Sequence, residues 1–393
     1  MSNLVLFDNR HIDLLPLTFT RPVAEIRVGI LTITQKWERF LGASASYATQ
    51  DYLQPKFPLI LKEDNLLVSG NVLPEELLIT QIKLLEVGAG FKWQGEIVCV
   101  RLNELDARRF LNGEVDFVTM RNLDAEPITI NRPYDIFRLN GVALELDFKQ
   151  VTKGRKSGTL SASNRVVAPE NIFVEEGAIV ECAIINASTG PVYIGADAEI
   201  MEGAIVRGPF ALCEHSVLKM GAKIYGPTTI GPYSKVGGEV SNSVIFGMSN
   251  KAHDGFLGNS VLGEWCNLGA DTNNSNLKNN YEEVKLWSYR EDHFVKTGLQ
   301  FCGLIMGDHS KCGINTMFNT GTVVGVSANI YGDGFPRNFI PSFSWGGAAS
   351  MIDYRIDKAL QTAERVWARR GIELSQVDQD ILLHIYNNTP RRN

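Results

Sequence analysis

The sequence predicts an α/β domain, then a parallel β-solenoid of triangular coils, then a pair of terminal α-helices. Three observations carry this. An aliphatic residue stands at every sixth position from Ile194 to Val236, small residues repeatedly follow those aliphatics, and the first 150 residues instead mix short apolar runs with helical spacing.

The stride reads Ile194, Ile200, Val206, Leu212, Leu218, Ile224, Ile230, Val236. It resumes as Leu262 and Leu268, and again as Met306, Cys312, Phe318, Val324 and Ile330. A helix repeats its apolar residues at i, i+3, i+4, i+7 and a half-buried strand alternates, so neither yields one obligatory aliphatic in six. Three short strands joined by tight turns do. Each aliphatic then points into a prism, and the small residues of "IGADAE", "IGPYSK", "LGEWCN", "LGADTN" and "VGVSAN" permit a tight or left-handed backbone at the corners. A sandwich of short strands would space them by about eight to twelve residues with little regularity of phase.

Upstream, "LVLF" and "NLLVSG" read as buried strands, "PEELLITQIKLL" (74–85) as a helix opened by proline, and "GFKWQGEIVCVRL" as a hairpin. "ELDARRFLNG" adds a helix closed by glycine. The chain thus divides into an α/β domain over 1–150, a Gly-, Ser- and Lys-rich linker over 151–165, a solenoid over 166–345 and helices over 346–393. The helices of "DYRIDKALQTAERVWARRG" and "DQDILLHIY" are expected to cover the open end of the solenoid or a neighbouring subunit, because an uncapped coil exposes strand edges.

A net charge of -6, a pI near 5.6 and scattered Lys and Arg leave no cationic stripe for nucleic acid. An acidic residue close behind the first apolar run argues against a secretory signal. No apolar stretch reaches the roughly eighteen residues that span a bilayer, so no membrane is expected and the location is expected to be cytoplasmic. Six cysteines (Cys99, Cys182, Cys213, Cys266, Cys302, Cys312) lie far apart without a CxxC pair and read as free thiols, mostly core filler.

A solenoid is a scaffold, so chemistry is expected where the repeat breaks. The largest break, "TNNSNLKNNYEEVKLWSYREDHFVKTG", runs from about 272 to 300 and is too long for a corner. His253 precedes it, and an imidazole that titrates near neutrality suits a general base. Spacing alone leaves open the ordinary alternative, a solvated or hydrogen-bonded histidine.

The stretch "KAHDGFLGNSVLGEWCNLGADTNNSNL" resembles the active-site coil of the left-handed β-helix acetyltransferase domain in the bifunctional sugar-1-phosphate nucleotidyltransferase/acetyltransferase family, its archaeal members above all. That family has a Lys shortly before a catalytic His, then an aromatic-Leu-Gly step and an Asn-aliphatic-Gly-Ala step. Here these are Lys251, His253, Phe256-Leu257-Gly258 and Asn267-Leu268-Gly269-Ala270. The resemblance implies acetyl transfer from acetyl-CoA to an amino-sugar phosphate. His253 is the implied general base on the attacking amine, and the backbone N–H of Ala270 the implied donor to the oxyanion. Asn267, Glu239 and Lys251 are placed by resemblance near the acceptor sugar, although Asn267 and Glu239 equally suit corner hydrogen bonds. Phe256 stands where bacterial relatives carry an aromatic hydroxyl, and Ser241 where they carry a lysine, which leaves the acceptor open. "GLIMGDHSKCGINTMFNTGTVVG" resembles the following coils, along which CoA lies between subunits of a homotrimer. Lys296 and Lys311 are therefore candidates for CoA phosphates, beside the alternative of solvated lysines.

A second resemblance lies upstream. "LLPLTFTRPVAEI" (14–26) is similar to the end of the nucleotidyltransferase phosphate loop, and "RPYDIFRLN" (132–140) to a segment near the end of that domain. This implies a Mg²⁺-dependent nucleotidyl transfer to a sugar-1-phosphate, giving a nucleotide sugar for cell-envelope polysaccharide, with Arg21 and Arg27 as phosphate contacts and Asn71 near the metal. The chain departs from the pattern: "FDNRHID" replaces the Gly-rich loop, Asp13 an arginine, Val23 a lysine, and Asn71 the metal-binding aspartate. Two readings stay open for this half, a working nucleotidyltransferase or a degenerate domain that binds without turnover, such as a sugar-nucleotide sensor on a solenoid scaffold. A zinc site of the carbonic anhydrase type needs three histidines, two of them five apart, and the six histidines here include no such pair.

Overall fold

The computed structural model describes residues 2–390. They form two compact units, the first built from Met1–Leu14, Thr20–Ile26 and Leu31–Asn131, the second from Leu15–Phe19, Arg27–Ile30 and Arg132–Asn393. Among the described residues, no helix is long and apolar enough to cross a membrane.

The first unit is a six-stranded sheet of β1 (Asn3–Phe7), β2 (Ala45–Ala48), β3 (Asn65–Ser69), β4 (Ala89–Trp93), β5 (Glu96–Leu102) and β6 (Thr119–Asn122), in the order β2-β1-β3-β5-β4-β6. β1 runs parallel to β2 and β3, whereas β5 is antiparallel to both β3 and β4. β3 is buried along its whole length, as a central strand covered on both faces must be. The predicted hairpin is β4–β5, and the predicted helices are α2 (Glu76–Lys83) and α3 (Glu104–Leu111). α1 (Ile33–Leu41) opens with a capping box between Thr32 and Gln35 and closes on Gly42 in the left-handed conformation.

The first compact unit ends at Asn131, ahead of α4. α4 (Asp135–Thr152) belongs to the second unit because its polar face is satisfied there: Asn140 Oδ1 accepts from the Gly29 N–H at 2.7 Å and from Thr229 Oγ1 at 3.1 Å.

The second unit is a parallel solenoid with three faces. The first face runs from Arg165–Val167 to Phe256–Gly258, the second from Ile172–Val174 to Phe339–Ile340, and the third from Ile179–Val180 to Ser344–Gly346. Every residue of the six-residue stride is buried in one continuous core. The stride changes phase after Val236 because corners shorten there. The interior continues as Val240, Ile245, Lys251 and Leu257, with Val236 paired to Lys251 and Val240 to Leu257.

The corners differ from expectation in one respect. Left-handed backbone at the corner between the second and third faces is carried by Gly177 in the first coil and in the later coils by Asp197, His215, Tyr233, Met248, Trp265, His309, Ser327 and Phe343, none of these glycine. The small residue that follows the aliphatic answers a different need: a Cβ on Gly231 would run into Phe246 O of the next coil, and one on Gly195 into the backbone of Cys213 and Glu214. Stacking distance, rather than φ, selects glycine there.

The terminal helices α5 (Ile356–Ala368) and α6 (Gln376–Asn388) return along this same corner. Trp367 stacks on Trp265 at 4.7 Å, Arg370 Nη2 donates to Tyr233 O at 2.9 Å, and Tyr386 meets Phe343 edge-on at 5.1 Å. The outward side chains of the left-handed corner residues thus supply the apolar seat for the helices, which is why an edge of the prism is covered rather than its open end.

Two substitutions separate these roles. Ile230→Ala, which empties a fully buried interior position, should cost about 2–5 kcal/mol. Gly231→Ala should also lower the melting temperature although it adds only a methyl group. An unchanged melting curve for Gly231→Ala would refute the close-approach account.

Candidate functional site

On the third face each short strand contributes one inward residue and, just before it, one outward residue. The parallel register aligns the outward ones into a row: Lys235 opposite Asn250, Asn250 opposite Asn267, and Asn267 opposite Lys311. Successive members lie about 4.8 Å apart, the spacing of neighbouring strands. Three residues further along each coil, at the corner between the third and first faces, His253, Ala270 and Ile314 stack in the same way. Asp271 N–H donates to Asp254 O at 3.0 Å, and Asn315 N–H to Ala270 O at 2.8 Å. Val366, Arg369 and Arg370, at the end of α5, line the other side of a cavity of about 670 Å³. His253, Asn267, Ala270 and Lys311, all singled out from sequence, meet in this one cavity.

Its electrostatics are one-sided. Lys235, Lys311, Arg369 and Arg370 line it, and among the described residues no carboxylate does. Burial lowers Lys311 to about 8, and its ammonium donates to His309 O at 2.8 Å. Gly269 and Asp271 donate their N–H groups to Cys312 O and Asp254 O, whereas among the described residues no hydrogen bond uses the Ala270 N–H between them. A free N–H beside an imidazole is the pairing that acyl transfer requires. Met248, Ile314 and Val366 supply apolar wall.

Lys251, expected near the acceptor, does not line the cavity. It occupies an interior position between Val236 and Leu268, 2% exposed, and its ammonium donates to His253 O and Asp254 O. Burial lowers it to about 8. It fastens the turn that carries His253 from beneath.

Other expected residues lie elsewhere. Glu239 sits on the first face, accepts from Tyr225 Oη at 2.5 Å, and does not line the cavity. The long break is a hairpin, Lys285–Ser288 against His293–Lys296, that leaves the corner between the first and second faces, whereas His253 stands at the next corner. Lys296 is on that hairpin, 3.6 Å from Glu283, and no residue of 275–303 lines the His253 cavity. Arg27 is buried in the second unit with Nε on Phe246 O at 3.0 Å, a structural placement rather than a phosphate contact. In the first unit Arg21 is 5% exposed, turned away from solvent. Asn71 is buried too, its Oδ1 accepting from Ser69 and its Nδ2 donating to Asn131 Oδ1, so neither end is turned to a metal. Asp8, in the turn after β1, accepts from Val23 N–H at 2.9 Å and Thr49 Oγ1 at 2.6 Å. Among the described residues no group of three or more His, Cys, Asp or Glu is placed to hold a metal ion.

Lys235, Trp265, Arg369 and Arg370 are cavity residues that the sequence reading passed over. Lys235 was findable, since it precedes Val236 as Asn267 precedes Leu268. The two arginines were not, because only docking of α5 brings them to this face.

Residues 4–156 match a family model described as sugar nucleotidyl transferase. A bifunctional sugar-1-phosphate nucleotidylyltransferase/acetyltransferase of Sulfurisphaera tokodaii is 30% identical over 144 residues, 36% of this chain and 35% of that protein. The bifunctional protein GlmU of Methanocaldococcus jannaschii is 29% identical over 230 residues, 58% of this chain and 45% of that protein. An uncharacterized acetyltransferase of Escherichia coli, YaiX, is 26% identical over 148 residues, 37% of this chain and 64% of that protein. The matched stretches span less than half the length of the two bifunctional relatives. The resemblance read from the motifs therefore stands: residues 4–156 match the sugar nucleotidyl transferase family model, and stretches of the chain are similar to the bifunctional sugar-1-phosphate nucleotidylyltransferase/acetyltransferases.

Proposed function

We propose that the third-face cavity transfers an acetyl group from acetyl-CoA to the amine of an amino-sugar phosphate. The observation that carries this is the stacking of His253 beside Ala270, whose N–H has no partner among the described residues, in a cavity with four cations and no carboxylate. His253 takes a proton from the amine as nitrogen bonds to the acyl carbon, the Ala270 N–H donates to the acyl oxygen as it gains charge, and the proton passes to sulfur as the C–S bond breaks. Lys235, Arg369 and Arg370 offer charge to phosphate groups, and Asn267 a neutral amide to sugar or acyl oxygen. Assembly as a homotrimer and a cytoplasmic setting belong to the same reading, which rests on kinship with the bifunctional relatives.

For the first unit, a domain without nucleotidyl turnover is the reading we favour. Asp8 accepts hydrogen bonds within the turn after β1, and both ends of the Asn71 amide are committed to Ser69 and Asn131, which supports a site that does not hold Mg²⁺ for turnover.

Thiol release from acetyl-CoA with glucosamine-1-phosphate or galactosamine-1-phosphate tests the first proposal. His253→Ala should lower the rate at least about a hundredfold with the assembly unchanged by size-exclusion chromatography. Full activity in that variant would sink the assignment.

Lys251→Met should slow the same transfer about tenfold by releasing the turn. It has a second signature. Because burial lowers Lys251 to about 8 from an ordinary 10.5, the unfolded chain holds a proton between those values that the folded chain gives up, and stability rises with pH across that window. The urea midpoint of the parent protein should therefore gain on that of Lys251→Met between pH 7.5 and pH 9.5. A constant or shrinking gap would overturn the assignment of the buried ammonium.

A further inference from the structure

A second cavity, of about 760 Å³, shares no residue with the first. Lys278, Lys285, Trp287 and Phe294 of the inserted segment line one part of it, and Arg337 and Phe339 of the last coil another. It sits at the corner between the first and second faces, where the hairpin emerges.

Its walls combine two features. Trp287 stacks on Phe339 at 4.2 Å and 12° and takes Phe294 edge-on at 5.3 Å, which fixes a rigid aromatic platform on a hairpin that would otherwise lack a core. Three cations meet that platform, and among the described residues no carboxylate lines the cavity. Lys278 donates to Glu283 O at 3.0 Å, while the Glu283 carboxylate turns to Lys296 and the Gly298 N–H. Lys285 and Arg337 have no ion pair among the described residues. On the hairpin, moreover, Lys285 stands directly opposite Lys296, a like-charge pair that weakens a two-stranded ribbon. Gathering positive charge at a concave aromatic surface is unfavourable for the free protein and is offset when an anion enters.

We propose that this hairpin cavity binds a nucleoside phosphate, with the base against the Trp287–Phe294 platform and the phosphates on Lys285, Arg337 and Lys278. A flat ring joined to a di-anionic tail is the ligand chemistry that answers both features at once, and the volume lies within the range of small-molecule sites. Two sources carry that chemistry: the 3′-phospho-ADP end of CoA, or the nucleoside diphosphate of a free nucleotide or nucleotide sugar. The inference does not depend on acetyl transfer at His253, and binding can be measured without turnover.

Isothermal titration of the full chain with ADP, 3′,5′-ADP, CoA, UDP and a UDP-sugar, at low and high salt, tests it. Lys285→Glu and Arg337→Glu, both at exposed side chains, should each weaken binding at least about tenfold, with affinity falling as salt rises. Trp287→Leu should do the same, and circular dichroism with the two charge variants guards against a loss that merely reports an unfolded hairpin. Loss confined to CoA and 3′,5′-ADP identifies the cofactor end as the source; loss confined to UDP compounds identifies the nucleotide. No binding of any of the five ligands, or binding indifferent to Lys285→Glu and Arg337→Glu, overturns the proposal.

Discussion

The second unit depends throughout on the parallel register that stacks each coil on the one before. Because side chains alternate along a strand, fixing one inward aliphatic per strand also fixes the outward residue beside it, and a slip of one position would exchange the two sets. The row Lys235, Asn250, Asn267, Lys311 is thus a by-product of burying Val236, Lys251, Leu268 and Cys312. The same stacking brings His253 and Ala270 to adjacent coils at one corner although seventeen positions of sequence separate them. No loop has to fold onto another to assemble this part of the site; the core assembles it.

Lys251 shows where that economy reaches its limit. An ammonium at an interior position is expensive to desolvate, and the shift of Lys251 to about 8 is the mark of that cost. Two carbonyl oxygens, from His253 and Asp254, compensate it, and in doing so they bind the turn to the floor of the prism. An aliphatic side chain there would pack better and hold nothing. The interior therefore gives up apolar contact at this coil and holds a turn in exchange.

The solenoid was legible in the sequence because its period is imposed by burial at every coil. Its continuity through 240–257 was not, since shortened corners shift the phase and Lys251 interrupts the apolar pattern. His253, Asn267, Ala270 and Lys311 could be picked out by motif, and the structure gathers them in one cavity. Lys251 and Lys296 show what a motif leaves out, namely the direction of a side chain and the corner from which a loop departs. Arg369 and Arg370 were beyond reach for a different reason: they arrive through the stacking of Trp367 on Trp265, a contact between residues 102 positions apart whose partner is a left-handed corner tryptophan with no periodic signature.

The first unit poses the opposite problem, a recognisable sheet whose polar residues have turned inward. Val23 N–H heads a short 3-10 turn, the kind of donor that a bound phosphate would use, and here it is taken by Asp8. An external phosphate would have to displace a carboxylate held by three groups, Val23 N–H, Thr49 Oγ1 and His11, and would bring more negative charge to the place the carboxylate occupies. Asn71 follows the same logic, with both ends of its amide committed to Ser69 and Asn131. Asp8 and Asn71 are thus both committed to the unit's own hydrogen-bond network, which ties the turn after β1 to Val23 and Thr49 and the end of β3 to Asn131.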